Sequence, residues 1–158
     1  MTMPQGVYPI PLTEAYADAT TRPFWEAAIE GRFVGARCTI CGAFQIPPEP
    51  RCFVCLNDRY DWVELPGGGT VYSFTVVRRA LTPEMEAAIP YVSAIIELDG
   101  TQGAGARLAG NIIDCDVAAV RIGDRVTVVF DKIGEQLAVP RFRLLSKGGQ
   151  GPAHCVTP

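Results

Sequence analysis

The sequence predicts a mainly β protein: a short N-terminal helix, a small four-cysteine ribbon, then a five-stranded barrel. Three observations predict it. Two Cys-x-x-Cys pairs, Cys38 with Cys41 and Cys52 with Cys55, are separated by a ten-residue spacer. Beyond residue 70, five short runs rich in β-branched and aromatic residues follow one another, with one brief helical candidate between the third and fourth. Sixteen Gly and thirteen Pro among 158 residues favour turns and short strands over long helices. Five strands of this spacing fit an OB-type Greek-key barrel better than a sandwich, which usually takes about seven.

The elements follow in chain order. Residues 1–32 read as an extended arm containing Pro4, Pro9 and Pro11, then a helix starting near Thr21-Arg22-Pro23. Threonine can cap, and proline is tolerated in the first turn. Phe24, Trp25, Ala28 and Ile29 fall on one face, and Gly31 stops the helix. That aromatic face either packs on its own domain or meets a partner. Residues 33–65 form the ribbon. A strand over 33–37 enters the first knuckle and 43–46 pairs back. Pro47-Pro48-Glu49-Pro50 is a stiff turn into the second knuckle, and 60–63 leads out. The residue after each pair must turn sharply: Gly42 suits the first, and Asn57 is the tolerant residue after the second.

Pro66-Gly67-Gly68-Gly69 marks the boundary to the barrel, residues 66–146. No Lys-Ser or Lys-Thr follows these glycines, so a phosphate-binding loop is excluded; a hinge or a bent strand start is expected. Strands are expected over 71–78, 91–98, 107–113, 125–130 and 141–145, with a brief helical turn at 116–120. In the loop over 80–90, Thr82 can cap a short helix reaching Ile89. Met85 and Ile89 there are either core or an adaptable apolar contact for a partner. Residues 147–158 are expected to be a flexible tail.

Four cysteines at this spacing can surround one zinc ion tetrahedrally. Two disulfides are the alternative, but nothing marks a secreted chain. With Cys38, Cys41, Cys52 and Cys55 all ligands, no position stays open for water, so the expected zinc is structural. Residues 1–19 lack the basic start and apolar stretch of a signal peptide, and no apolar run approaches a membrane span. A cytoplasmic chain without membrane association is expected. The net charge of −3 disfavours nucleic acid, whose binders usually carry a basic excess. Tyr72 and Phe74, on one strand face, could stack bases but suit a barrel core better.

Catalytic groups are few. The single histidine is His154, in the tail, so no Ser-His-Asp or Cys-His set can form in the folded part. Glu84 and Glu86 read as exposed acids, and Cys115, between Asp114 and Asp116, is a poor nucleophile. Cys155 has no evident role. The chain is expected to be non-catalytic by itself. Arg37 and Arg51 flank the knuckles, Arg78 and Arg79 end a strand, and Arg141 and Arg143 alternate on the last strand. Where some of these converge at the junction of ribbon and barrel, they could bind an anion. Arg37, Arg51 and Arg78 are the candidates for this role.

The sequence resembles the DUF35 family. The resemblance is carried by Phe24-Trp25-Glu26-Ala27, Cys38-x-x-Cys41-Gly42, Pro47-Pro48, Cys52-x-x-Cys55, Gly69-Thr70-Val71-Tyr72-Ser73-Phe74-Thr75, Pro90-Tyr91 and Ile122-Gly123-Asp124-x-Val126. It covers about residues 22–146. It implies a rubredoxin-like zinc ribbon joined to an OB-fold, with all four family zinc positions filled. It also implies an accessory role beside thiolase-superfamily enzymes: acyl-CoA thiolases, hydroxymethylglutaryl-CoA synthases, acyltransferases and the lipid-transfer-protein-type aldolases of steroid side-chain degradation. The partner then supplies the catalytic residues, and this chain braces it or completes its CoA channel. The anion expected at Arg37, Arg51 or Arg78 becomes CoA phosphate or an acidic partner surface. Phe24, Trp25, Met85 and Ile89 become candidates for the partner interface.

Overall fold

The structure, a computed structural model, describes residues 18–101, 105–133 and 137–145. The expected arm, the flexible tail, His154 and Cys155 lie outside the described residues. Helix α1 (Arg22–Ile29) is followed by β1 (Val34–Cys38), β2 (Phe44–Gln45) and β3 (Tyr60–Glu64), which form a three-stranded antiparallel sheet in the order β2-β1-β3. Strands β4 (Gly68–Val77), β5 (Tyr91–Leu98), β6 (Arg107–Ile112), β7 (Arg125–Lys132) and β8 (Ala138–Leu144) close a barrel in the order β4-β5-β6-β8-β7. The single parallel contact, Ile112 with Phe142, completes the closure. This is the five-stranded OB arrangement that the run of strands predicts.

Helix α1 begins where expected, but the cap differs. The Thr21 side chain makes no capping bond to the helix. Instead the Asp18 carboxylate accepts hydrogen bonds from the Thr20 and Thr21 N–H groups, at 3.0 and 2.7 Å, and from the Thr21 hydroxyl at 2.9 Å. The Asp18 carboxylate thus fixes the turn that leads into the helix, while the N–H groups of Phe24 and Trp25 donate to the Thr21 carbonyl. The segment over 116–120 forms a turn rather than a helix. Pro83–Ala88 is a 3-10 helix, and Thr82 provides no side-chain cap to it.

Ribbon and barrel share one core. Phe24, Ala27, Phe33, Val34, Phe44, Ile46 and Leu65 join Val71, Val92, Ala94, Ile96, Leu108, Val126 and Phe142 in a continuous cluster. Phe33 packs edge-on against Phe24, with centroids 6.3 Å apart, and lies 6.4 Å from the Phe130 ring of β7. The Leu65 N–H donates to the Phe33 carbonyl at 2.8 Å, tying the ribbon base to the segment that enters the barrel. A ribbon of so few residues cannot bury a large core of its own. Only its tip stands apart from the barrel, where Cys38, Ala43 and Cys52 form a separate small cluster beside Tyr60. The base is supported by the barrel.

The glycine run is a strand start, not a hinge. Gly68 and Gly69 belong to β4. A Cβ on Gly69 would lie 2.5 Å from Ile96 Cγ2 and 2.8 Å from the Glu97 carbonyl oxygen. Glycine is required here for close strand approach. Further along, a β-bulge between Val71 and Ser73 separates the two aromatics that alternation puts on one face. Phe74 packs against the core, whereas Tyr72 is exposed and lies under the Arg107 guanidinium, 3.6 Å from ring centre to cation.

Candidate functional site

The knuckles bring four sulfurs together. The thiols of Cys38, Cys41, Cys52 and Cys55 all lie within 4.8 Å of one another. Cys38 Sγ is 3.5 Å from Cys55 Sγ, and Cys41 Sγ is 3.5 Å from Cys52 Sγ. These are not disulfide distances; the cysteines are free thiols. A tetrahedron with metal–sulfur bonds of about 2.3 Å has edges of about 3.8 Å, so the cluster fits a tetrahedral metal.

The four thiols also influence one another's ionisation. The Cys41 N–H is the main influence on the Cys38 thiol. With the Ile40 N–H, Asn57 and Cys55 it outweighs burial and pulls Cys38 down to about 6. Burial raises Cys52, but the Cys55 and Val54 N–H groups and the Cys41 thiol prevail and lower it. The Ala43 N–H opposes the shift at Cys41, yet burial and the three neighbouring sulfurs push that thiol up to about 12. The pattern alternates because two thiolates this close repel. A divalent ion bound at the centre would let all four sulfurs ionise together.

Backbone turns position the sulfurs. The Gly42 N–H donates to the Cys38 carbonyl at 3.0 Å, and the Leu56 N–H donates to the Cys52 carbonyl at 2.9 Å. Gly42 has φ +74° and Leu56 has φ +61°. The sharp turn after the second pair therefore falls on Leu56, not on Asn57 as expected. The Asn57 amide is occupied otherwise: Nδ2 donates to the Arg59 carbonyl at 2.7 Å, to Thr39 Oγ1 at 3.2 Å and to Cys38 Sγ at 3.4 Å. The Tyr60 hydroxyl donates to Gln45 Oε1 at 2.7 Å and buttresses the spacer.

The arginine candidates differ in their surroundings. Arg37 and Arg51 are exposed beside the knuckles, and Arg37 pairs with Asp61 at 3.7 Å. Arg78 directly follows β4 and is exposed. Among the described residues, Arg51 and Arg78 make no ion pair. Arg141 is buried, paired with Asp131 at 3.5 Å and bonded to Asn111; Arg143 pairs with Asp114 at 2.5 Å. Both are thus employed inside the chain.

Of the apolar candidates, Phe24 and Met85 are only 2% and 3% exposed, so their side chains pack within this chain. Trp25 is half-buried against the core, and Ile89 is half-buried. Among the described residues the exposed large apolar side chains are others: Ile40, Phe53, Val54 and Leu56 at the knuckles, Leu81 in the loop that carries Met85, and Tyr72, Ile122 and Leu145 on the barrel. Sequence reasoning passed over them as partner contacts. No periodicity marks a side chain on a turn as exposed or buried.

Comparison with known proteins bears on this geometry. Residues 25–61 match the family model described as ChsH2, rubredoxin-like zinc ribbon domain, and residues 62–131 match ChsH2, C-terminal OB-fold domain. A DUF35 domain-containing scaffold protein of Methanocaldococcus jannaschii is 39% identical over 103 residues, covering 65% of this chain and 70% of that protein. The chain belongs to the DUF35 family. A solved structure, "Ltp2-ChsH2(DUF35) aldolase", superposes with a TM-score of 0.69 at 32% identity, covering 81% of this chain and 96% of that one. A probable enoyl-CoA hydratase alpha subunit of Thermomonospora curvata is 36% identical over 121 residues, which are 76% of this chain but 36% of that protein. This DUF35 chain thus carries the family's ribbon, with a four-cysteine metal site, and its barrel.

Proposed function

We propose that this chain is a non-catalytic accessory subunit, held together at its tip by one structural zinc, that supports a thiolase-superfamily enzyme acting on acyl-CoA. The enzyme is a thiolase or a lipid-transfer-protein-type aldolase, as in steroid side-chain degradation. The observation that carries this reading is the likeness, over nearly the whole of that chain, to the DUF35 chain of an aldolase named for two components. The scaffold name of the archaeal relative points the same way. Cys38, Cys41, Cys52 and Cys55 would hold the zinc. The ion's contribution is to fix the two knuckles; Asn57 orients the Cys38 sulfur, and the closed ligand set leaves the metal without a catalytic position.

The catalytic residues and the bulk of the CoA site then belong to the partner, and this chain completes the channel. Arg37, Arg51 and Arg78 remain candidates for CoA phosphates or an acidic partner surface. Trp25 and Ile89 remain interface candidates through their exposed parts. No helix among the described residues is long and apolar enough to cross a membrane, and the free thiols suit a reducing cytoplasm. The test is co-expression with each thiolase-superfamily enzyme of the source organism, followed by size-exclusion chromatography and turnover with and without this chain. A hetero-oligomer whose acyl-CoA turnover depends on this chain is expected. Independent elution from all of them, with unchanged activity, would overturn the reading.

A further inference from the structure

The two contacts at 3.5 Å among the four sulfurs both run between the knuckles. One joins Cys38 to Cys55, the other Cys41 to Cys52. Each pair sets one sheltered thiol against one open thiol: Cys38 and Cys52 are buried, whereas Cys41 and Cys55 are exposed. A disulfide holds its sulfurs about 2.05 Å apart, so closing either pair moves each sulfur by only about 0.7 Å.

Bonds that involve no cysteine sulfur keep the knuckles in this register. The Thr39 N–H donates to the Arg59 carbonyl at 3.2 Å, and the Cys38 N–H donates to the Ala43 carbonyl at 2.8 Å. The Asn57 amide links Thr39 Oγ1 to the Arg59 carbonyl. The Tyr60 hydroxyl ties β3 to Gln45 of β2. We infer that the tip is a thiol redox device with two interchangeable staples. In the reduced chain the staple is a metal ion held by the four cysteines. In the chain oxidised by a peroxide it is two nested disulfides, Cys38–Cys55 and Cys41–Cys52. The inference concerns these four thiols alone and stands apart from the accessory role.

The chemistry balances within each pair. The exposed thiol, Cys55 or Cys41, attacks one peroxide oxygen. The O–O bond breaks, the sulfur becomes a sulfenic acid, and water or an alcohol leaves. The facing buried sulfur, Cys38 or Cys52, then attacks the sulfenic sulfur. The S–S bond forms, and the hydroxyl departs as water with the second thiol's proton. Two sulfurs have given two electrons to one peroxide. When the sulfurs start as metal-bound thiolates, solvent supplies the two protons. A disulfide sulfur is no longer a thiolate ligand, so metal and disulfides exclude each other. Both bonds tie one knuckle to the other, so the tip stays closed without metal. Bonds within a knuckle would let the knuckles part, because the cluster of Cys38, Ala43 and Cys52 is too small to hold them.

The test treats the zinc-loaded full chain with hydrogen peroxide. A colorimetric chelator reads zinc release, peptide mapping reads disulfides, and hydrogen exchange reads backbone protection. Trypsin cuts after Arg37, Arg51 and Arg59, which places Cys38 and Cys41 on one peptide and Cys52 and Cys55 on another. Peroxide is expected to release the zinc and to yield these two peptides as one linked species, which a thiol reductant separates. Protection over 38–60 is expected to persist in the oxidised chain and to be lost in the metal-free reduced chain. Two double variants assign the pairing. Cys41→Ser with Cys52→Ser keeps Cys38 and Cys55, and Cys41→Ser with Cys55→Ser keeps Cys38 and Cys52. The first is expected to form its disulfide at least about tenfold faster, because its sulfurs already face each other. Equal rates in the two variants would refute the pairing. Unlinked peptides that each carry an internal disulfide would refute the staple. So would sulfinic or sulfonic acids in place of disulfides, zinc retained under peroxide, or exchange over 38–60 as fast as in the metal-free reduced chain.

Discussion

Asn57 joins the two knuckles through one side chain. Its amide reaches the Cys38 sulfur, the Thr39 hydroxyl and the Arg59 carbonyl. Asn57→Ala should lower metal affinity by about 10–100-fold, as removal of an outer-shell partner commonly does; chelator competition measures it. The cysteines themselves were legible from spacing alone. The role of Asn57 was not, because an asparagine can take the turn backbone or spend its amide on neighbours, and only the fold decides. A second residue-scale prediction concerns Asp99. The Arg125 guanidinium bonds its carboxylate through both nitrogens and also donates to Thr70 at 2.9 Å. That bond and the attached charge hold the Asp99 carboxyl below its usual value, against burial. The folded value is depressed, so the stabilisation is present above the unfolded carboxylate value and lost as pH falls through the folded one. Both groups are partly exposed, which limits the effect to about 1 kcal/mol. Asp99→Asn should lower stability at neutral pH and flatten the acid-side fall in Tm between about pH 5 and 2. Equal pH dependence in both proteins would refute the pairing as a source of stability.

Strand β4 sets the geometry of the barrel at two places. At its start, Gly69 allows the neighbouring strand to close in. Gly69→Ala must displace the Glu97 carbonyl as well as Ile96, and backbone does not give way readily. A loss of about 1–3 kcal/mol is expected, as for other overpacked sites, and urea unfolding measures it. At the bulge, Tyr72 turns outward onto Arg107 while Phe74 stays with the core. The ribbon tip behaves differently from its base. Stripping the metal should release hydrogen-exchange protection over 38–60, because the cluster of Cys38, Ala43 and Cys52 is too small to persist alone. Residues 71–144 should keep theirs, since their core lies around Phe142 and Ile96. Uniform loss of protection across the chain would show that the tip and barrel unfold together.

In the whole molecule, α1 closes the ribbon base against the barrel. Trp25 packs edge-on to Phe24, with centroids 5.0 Å apart, and rests on the shared core. Trp25→Ala should therefore destabilise the free chain by about 2–3 kcal/mol, somewhat below the cost of truncating a fully buried aromatic. Thermal melting of the isolated chain is the measurement. An unchanged Tm, with binding to the enzyme subunit impaired, would return Trp25 to the partner interface.

The sequence by itself determined the order of the units, the four thiols and the strand count. Local signals sufficed for these: knuckle spacing, β-branched runs, and turn residues between them. Strand β5 spans residues 91–98 as its composition predicts, because one of its faces is buried throughout and alternation is preserved. Tertiary structure alone decided where side chains point once the backbone departs from regular periodicity. The bulge at Tyr72, the burial of Met85 and the exposure of the knuckle residues depend on neighbours remote in sequence. Leu56 is the sharpest case. Its neighbour was the more permissive residue, but the knuckle turn puts the left-handed position directly after the second cysteine, at Leu56 as at Gly42, and the Asn57 amide bonds elsewhere.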